Sequence, residues 1–130
     1  MEARETIARK LMAMKRCIDF LRAKRSTTVR QLRDDYELRS AIERNFQVGI
    51  EAALDIAEVI ISEEGLDKPD DYRGAILTLG RKGIVPAKFA ERFAPAASFR
   101  NVLVHGYAEV DLGRLHSYLL EELKDFDQST

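Results

Sequence analysis

The run Ile42-Glu43-Arg44-Asn45-Phe46-Gln47-Val48-Gly49-Ile50-Glu51-Ala52-Ala53-Leu54-Asp55-Ile56-Ala57-Glu58-Val59-Ile60 decides the fold class. Ile42, Phe46, Ile50, Ala53, Ala57 and Ile60 recur three or four residues apart, the period of one helical face. Leu54, Ile56 and Ile61 widen that stripe, so more than one neighbour is expected to cover it. The helix should run from roughly Asp35 to Glu64. At 1.5 Å per residue, about 28 residues make a rod of about 40 Å, long for so small a chain. Gly49, Ala52, Ala53 and Ala57 leave room for a close helix approach or simply fill the core.

Upstream, Ile7, Leu11, Met14, Ile18 and Leu21 form a second helical seam, expected from near Glu2 to about Lys24. Ser26-Thr27-Thr28 breaks it with hydroxyls that suit a turn or an N-cap. Val29 to Asp35 reads as a short helical or irregular lead-in. Downstream, Gly65 is a plausible helix stop, followed by the loop Asp67-Lys68-Pro69-Asp70-Asp71. A shorter helix carries Tyr72, Ile76 and Leu79 and ends at Gly83. Pro86 suits the first turn of the next helix, where its missing N–H costs nothing. Phe89, Phe93, Ala96, Ala97, Arg100 and Val104 then follow one side. Pro95 should kink or split that helix, because it removes a backbone hydrogen bond and crowds the preceding turn. Asp111 can cap a last helix with the face Leu112, Leu115, Leu119, Leu123 and Phe126.

No strand alternation, internal repeat or low-complexity tract interrupts this pattern. The expected architecture is all-α, an antiparallel bundle of about five helices with two long N-terminal ones, in a single domain spanning residues 1–130. With 45% hydrophobic and 33% charged residues, the chain has enough apolar material to avoid disorder. The apolar runs are too short to span a bilayer, which needs roughly 18 residues, and the N-terminus lacks a signal-peptide core. Cys17, the single cysteine, cannot form an internal disulfide and reads as packing. These features point to a soluble cytoplasmic protein.

A net charge of -1 offers no overall attraction to nucleic acid, but it hides an asymmetry. Residues 1–33 hold ten Lys/Arg against three Asp/Glu, a net of +7, which leaves -8 for the rest. That basic segment could bind phosphate, or face the acidic remainder of its own fold, or be solvated.

Chemistry concentrates in Arg100-Asn101-Val102-Leu103-Val104-His105-Gly106-Tyr107. Asn101 and His105 stand one turn apart on one face, and Arg100 can sweep across the gap. Gly106 tolerates positive φ, so it can end the helix and displace Tyr107. Such a cluster suits phosphodiester cleavage without a metal. Arg100 would stabilise charge on the phosphorane, and His105, with an ordinary pKa of about 6.5, would move a proton. One histidine cannot easily serve both attack and departure, which a two-fold dimer would remedy. Spacing alone leaves a structural reading of the same residues open. No metal is expected, because the two histidines form no Cys/His cluster and no His-Glu-x-x-His arrangement. No glycine-rich phosphate loop or serine elbow is present either. His116, beside Leu115, reads as a surface residue.

The eight-residue motif resembles the Arg-x4-His-x-Tyr signature of the HEPN superfamily, and more narrowly that of the HepT-type toxins. Ile50-Glu51-Ala52-Ala53-Leu54-Asp55-Ile56-Ala57 is similar to the family's second-helix segment, and helix order, lengths and the Pro86 start agree. The resemblance covers nearly the whole chain. It implies a metal-independent endoribonuclease toxin that works as a homodimer with no cofactor, Arg100 and His105 being catalytic and Asn101 a supporting polar residue. It further implies a minimal nucleotidyltransferase (MNT-type) antitoxin that transfers AMP to Tyr107. In such a dimer Lys10, Lys15, Arg16, Arg22, Lys24 and Arg25 could flank the cleft and bind RNA backbone. Glu51 and Asp55, one turn apart, could orient the arginine or face solvent. The competing reading is a non-catalytic nucleotide-binding or regulatory helical partner of a nucleotidyltransferase.

Overall fold

A computed structural model of the chain describes residues 2–97, 113 and 115–117. Five helices run through the continuous part: α1 (Glu2–Ala23), α2 (Val29–Asp34), α3 (Tyr36–Glu64), α4 (Tyr72–Arg81) and α5 (Ala87–Ala97). Residues 113 and 115–117 are also helical. Among the described residues there is no strand. The lead-in at 29–34 is a true helix, so the helices exceed the expected five once the last one is included.

The chain stops and restarts helices with local chemistry. Thr28 caps α2 through a full capping box: its Oγ1 accepts from the Gln31 N–H at 3.1 Å, and the Gln31 Oε1 accepts from the Thr28 N–H at 2.8 Å. Asp35 both ends α2 and begins α3, its carboxylate accepting from the Leu38 N–H at 3.0 Å. Asp71 does the same for α4 through the Gly74 N–H at 2.8 Å. Gly65, at φ 64°, turns the chain out of α3 while the Leu66 N–H reaches back to the Ile61 carbonyl at 3.0 Å. These are the left-handed closures that a side chain with a Cβ resists.

At about 1.5 Å per residue the 29 residues of α3 extend about 43 Å, and they form the spine. Ile42, Phe46, Ile50, Ala53, Ala57 and Ile60 are all buried, as the stripe requires. Ile56 is buried too, while Leu54 and Ile61 pack against the core edge. Helix α1 lies antiparallel on α3, since Cys17 meets Gly49 while Lys10 meets Asp55. It contributes Met14, Cys17, Ile18 and Leu21 to the interior. Leu32 of α2 is fully buried, which is why so short a helix persists.

Helix α4 packs against α3 and α5 packs on α4, with Ile76, Leu79, Phe89 and Phe93 in the core. Phe89 and Phe93, one turn apart, stack with centroids 5.2 Å apart. Pro95 does not split α5, which continues through it to Ala97. Proline removes one N–H donor near the end of the described helix, and the burial of Phe93, Ala94 and Ala97 on either side of it holds the segment helical. Asp111, Leu112, Leu119, Leu123 and Phe126 lie outside the described residues.

Candidate active site

The motif residues Arg100, Asn101, His105 and Tyr107 lie outside the described residues. What the structure shows is how the chain is held on both sides of them. On the near side, α5 enters with Phe89, Ala90, Phe93, Ala94 and Ala97 buried. On the far side, Leu115 is fully buried in the same core. His116 next to it is only half-exposed, and its Nε2–H donates to the Thr27 carbonyl at 2.8 Å. This corrects the expectation of a surface histidine. The carbonyl of buried Thr27, in the turn between α1 and α2, needs a donor, and residues 115–117 bring one. The contact joins residues 89 positions apart, a pairing for which sequence carries no signal.

The carboxylates suggested as orienting groups are partly assigned. Asp55 pairs with Lys10 of α1 at 2.8 Å, so its described partner is a lysine. Both side chains are more than a third exposed, which limits the pair to a modest contribution. Glu51 is half-buried on the same helix. Of the basic residues named from sequence, Arg22 lies 3.3 Å from Asp19, and the Lys24 ammonium sits 5.5 Å from the Phe20 ring centroid. Lys15 and Arg16 are exposed.

Cys17 packs as expected. Burial pushes its thiol above the usual cysteine range, and nearby Arg16 and Arg44 pull only weakly the other way. A protonated thiol is a poor nucleophile, so Cys17 belongs to the core. Among the described residues no group of His, Cys, Asp and Glu could hold a metal ion. An open cleft of about 410 Å³ between α3 and the start of α4 is lined by Leu54, Glu58, Ile61, Lys68, Pro69 and Tyr72, among others. Its lining is mainly apolar, and of its charged residues Asp71 is engaged in capping α4. No described helix is long and apolar enough to cross a membrane.

A sequence profile of the family described as Ribonuclease HepT-like matches residues 13–130, a span that includes the whole Arg100–Tyr107 motif. The chain belongs to the HepT-like ribonuclease family. This family member is similar to the mRNA nuclease HepT of Shewanella oneidensis, at 27% identity over 95% of this chain and 92% of that protein. It is also similar to the tRNA nuclease HepT of Aphanizomenon flos-aquae, at 29% identity over 81% and 71% of the two chains.

Solved structures give the fold the same placement. A toxin–antitoxin crystal structure with AMP-PNP matches with a TM-score of 0.74 at 25% identity, covering 95% of this chain and 93% of that one. The tri-AMPylated HEPN toxin of Shewanella oneidensis, in complex with its MNT antitoxin, matches with a TM-score of 0.71 at 26% identity, covering 95% and 92%. The all-α fold is therefore HEPN-like, and the ribonuclease class read from the motif is that of the family.

Proposed function

We propose that this chain is the toxin of a HEPN/MNT toxin–antitoxin pair, a metal-independent endoribonuclease that an antitoxin silences by AMP transfer to Tyr107. The observation that carries this reading is the family match across residues 13–130, which includes the complete Arg100–Tyr107 motif. The likeness to a tri-AMPylated toxin in complex with an MNT antitoxin supports the mode of control.

The chemistry follows from the residue types. RNA carries its own nucleophile, the 2′-hydroxyl beside each phosphate, so cleavage needs proton transfer and charge stabilisation but no activated water. Arg100, always protonated, donates two parallel hydrogen bonds to the phosphorane oxygens. His105 moves the proton, and Asn101, one turn before it, supplies a further polar contact. Attack and departure each need a proton carrier, and a homodimer supplies a second His105. AMP on Tyr107 would place a permanent negative charge beside Arg100, where the RNA phosphate must bind, and its adenosine would fill the cleft.

The purified chain should degrade RNA in the presence of EDTA. Arg100→Ala and His105→Ala should each slow cleavage by about 100-fold or more, the usual loss when a charge stabiliser or proton carrier is removed. Undiminished cleavage in both variants would overturn the catalytic assignment. Incubation with ATP and the partner nucleotidyltransferase should add the mass of one AMP or a small multiple. Tyr107→Phe should gain none and keep its nuclease activity; an equal mass gain in that variant would place the modification elsewhere.

A further inference from the structure

Ten cations crowd residues 1–33, and the structure sorts them. Lys10 is held by Asp55, Arg22 by Asp19 and Arg33 by Asp34, while Lys24 lies over Phe20. Arg4, Lys15 and Arg30 are exposed with no carboxylate within ion-pair distance among the described residues, and so are Arg9 and Arg16. Seven residues apart, Arg9 and Arg16 share one stripe of α1 and stand about 10 Å apart along its axis. Arg44 of α3 is exposed in the same way. Cys17 meets Gly49 where α1 lies on α3, which puts Arg16 beside that contact on one helix and Arg44 about 7.5 Å from it along the other, and the charges of both reach the Cys17 thiol. Met12, 67% exposed, lies between Arg9 and Arg16 along α1.

This face is unsuited to a second copy of the chain. Met12 is the one large apolar side chain exposed on α1, too little to bury against a copy. A flexible polyanion fits better. Its phosphates repeat along a strand and can settle on cations spaced along and across the two helices, while Met12 offers a soft apolar contact to sugar or base.

We propose that Arg9, Arg16 and Arg44 form a track for the sugar–phosphate backbone of RNA, on the flank of the α1–α3 seam. The proposal rests on the ribonuclease reading above and assigns part of its substrate surface. It also separates these three cations from Lys10, Arg22 and Lys24, which have partners within the fold.

The test is binding of a fluorescein-labelled oligouridylate of about 20 nucleotides to the full chain carrying His105→Gln, measured across a salt series. Adding Arg9→Gln, Arg16→Gln and Arg44→Gln should weaken binding about tenfold or more at low salt. It should also flatten the slope of log affinity against log salt by about 2, from three contacts at about 0.7 each. The corresponding Arg→Lys triple should restore the slope, because counterion release needs charge and not a guanidinium. Neutralising Arg73 and Lys88, exposed on α4 and α5, should leave it unchanged. An unaltered slope in the Gln triple overturns the proposal. So does loss of binding to the partner nucleotidyltransferase with RNA binding intact, since the face would then belong to a protein. If the unmodified chain cleaves nothing, the nuclease reading fails whatever the binding slope.

Discussion

The long pair α1–α3 and the short pair α4–α5 meet at different closeness, and a glycine marks each contact. At Gly49 an added methyl would sit 3.4 Å from the Cys17 Cβ, ordinary van der Waals contact. At Gly80 it would sit 2.7 Å from the Ala90 Cβ and 3.3 Å from the Ala87 Cα, inside repulsive range and partly against backbone. The long pair spreads its burial over many turns and tolerates looser contact at any one of them. The short pair has only ten and eleven residues, so it compensates by bringing backbones closer. It is also the pair whose second helix ends three residues before Arg100 in the sequence.

The strongest way to break this comparison is to remove an anchor of the short pair. Phe93→Ala should cost about 3–5 kcal/mol in urea unfolding, as large buried aromatics do. Its RNA cleavage should fall even at temperatures where the variant remains folded; retained activity would show that α5 does not position the motif.

The glycines give a finer contrast. Gly80→Ala gains about 1 kcal/mol of helix propensity, but the overpacking penalty of about 1–3 kcal/mol should leave it net destabilised. Gly49→Ala meets no such clash and should be neutral or stabilised by up to about 1 kcal/mol. Equal melting shifts for the two would erase the distinction. The smallest effect is expected at the edge of the long pair. Asp55→Asn should change stability by about 0–1 kcal/mol, with the difference shrinking as salt is added, because Lys10 and Asp55 are substantially exposed.

Much of the long pair was legible because its signals are local. The six stripe positions from Ile42 to Ile60 are separated by three or four residues, and all six are buried. Gly65 and Thr28 act through neighbours within five residues, so their capping roles follow from residue type. Gly80 was not legible in the same way. Its role depends on which face of α4 meets Ala87 and Ala90, a relation between two helices. His116 was misread for a like reason, since its partner is a backbone carbonyl far away in sequence. The cations of α1 could be counted but not sorted, because Lys10 is distinguished from Arg9 only by Asp55 on another helix. Pro95 does not split α5, because the burial of neighbours on both sides of it is a tertiary effect that the local rule leaves out. Of the site itself, the residue types in Arg100–Tyr107 were legible and agree with the family, while their geometry lies outside the described residues.

The bond from His116 to Thr27 has a consequence in time. At a synthesis rate of about 5–20 residues per second, the 89 residues between the two take roughly 4–18 seconds to be made. Helices form and pair in far less than that, so α1 and α3 can settle together while the donor for the Thr27 carbonyl does not yet exist. The far anchor of the motif is therefore fastened after the long pair has had time to form. A nascent chain carries Arg100 and His105 before it carries the residue that pins the following helix. A chain truncated before His116 should keep the long pair and lack this closure.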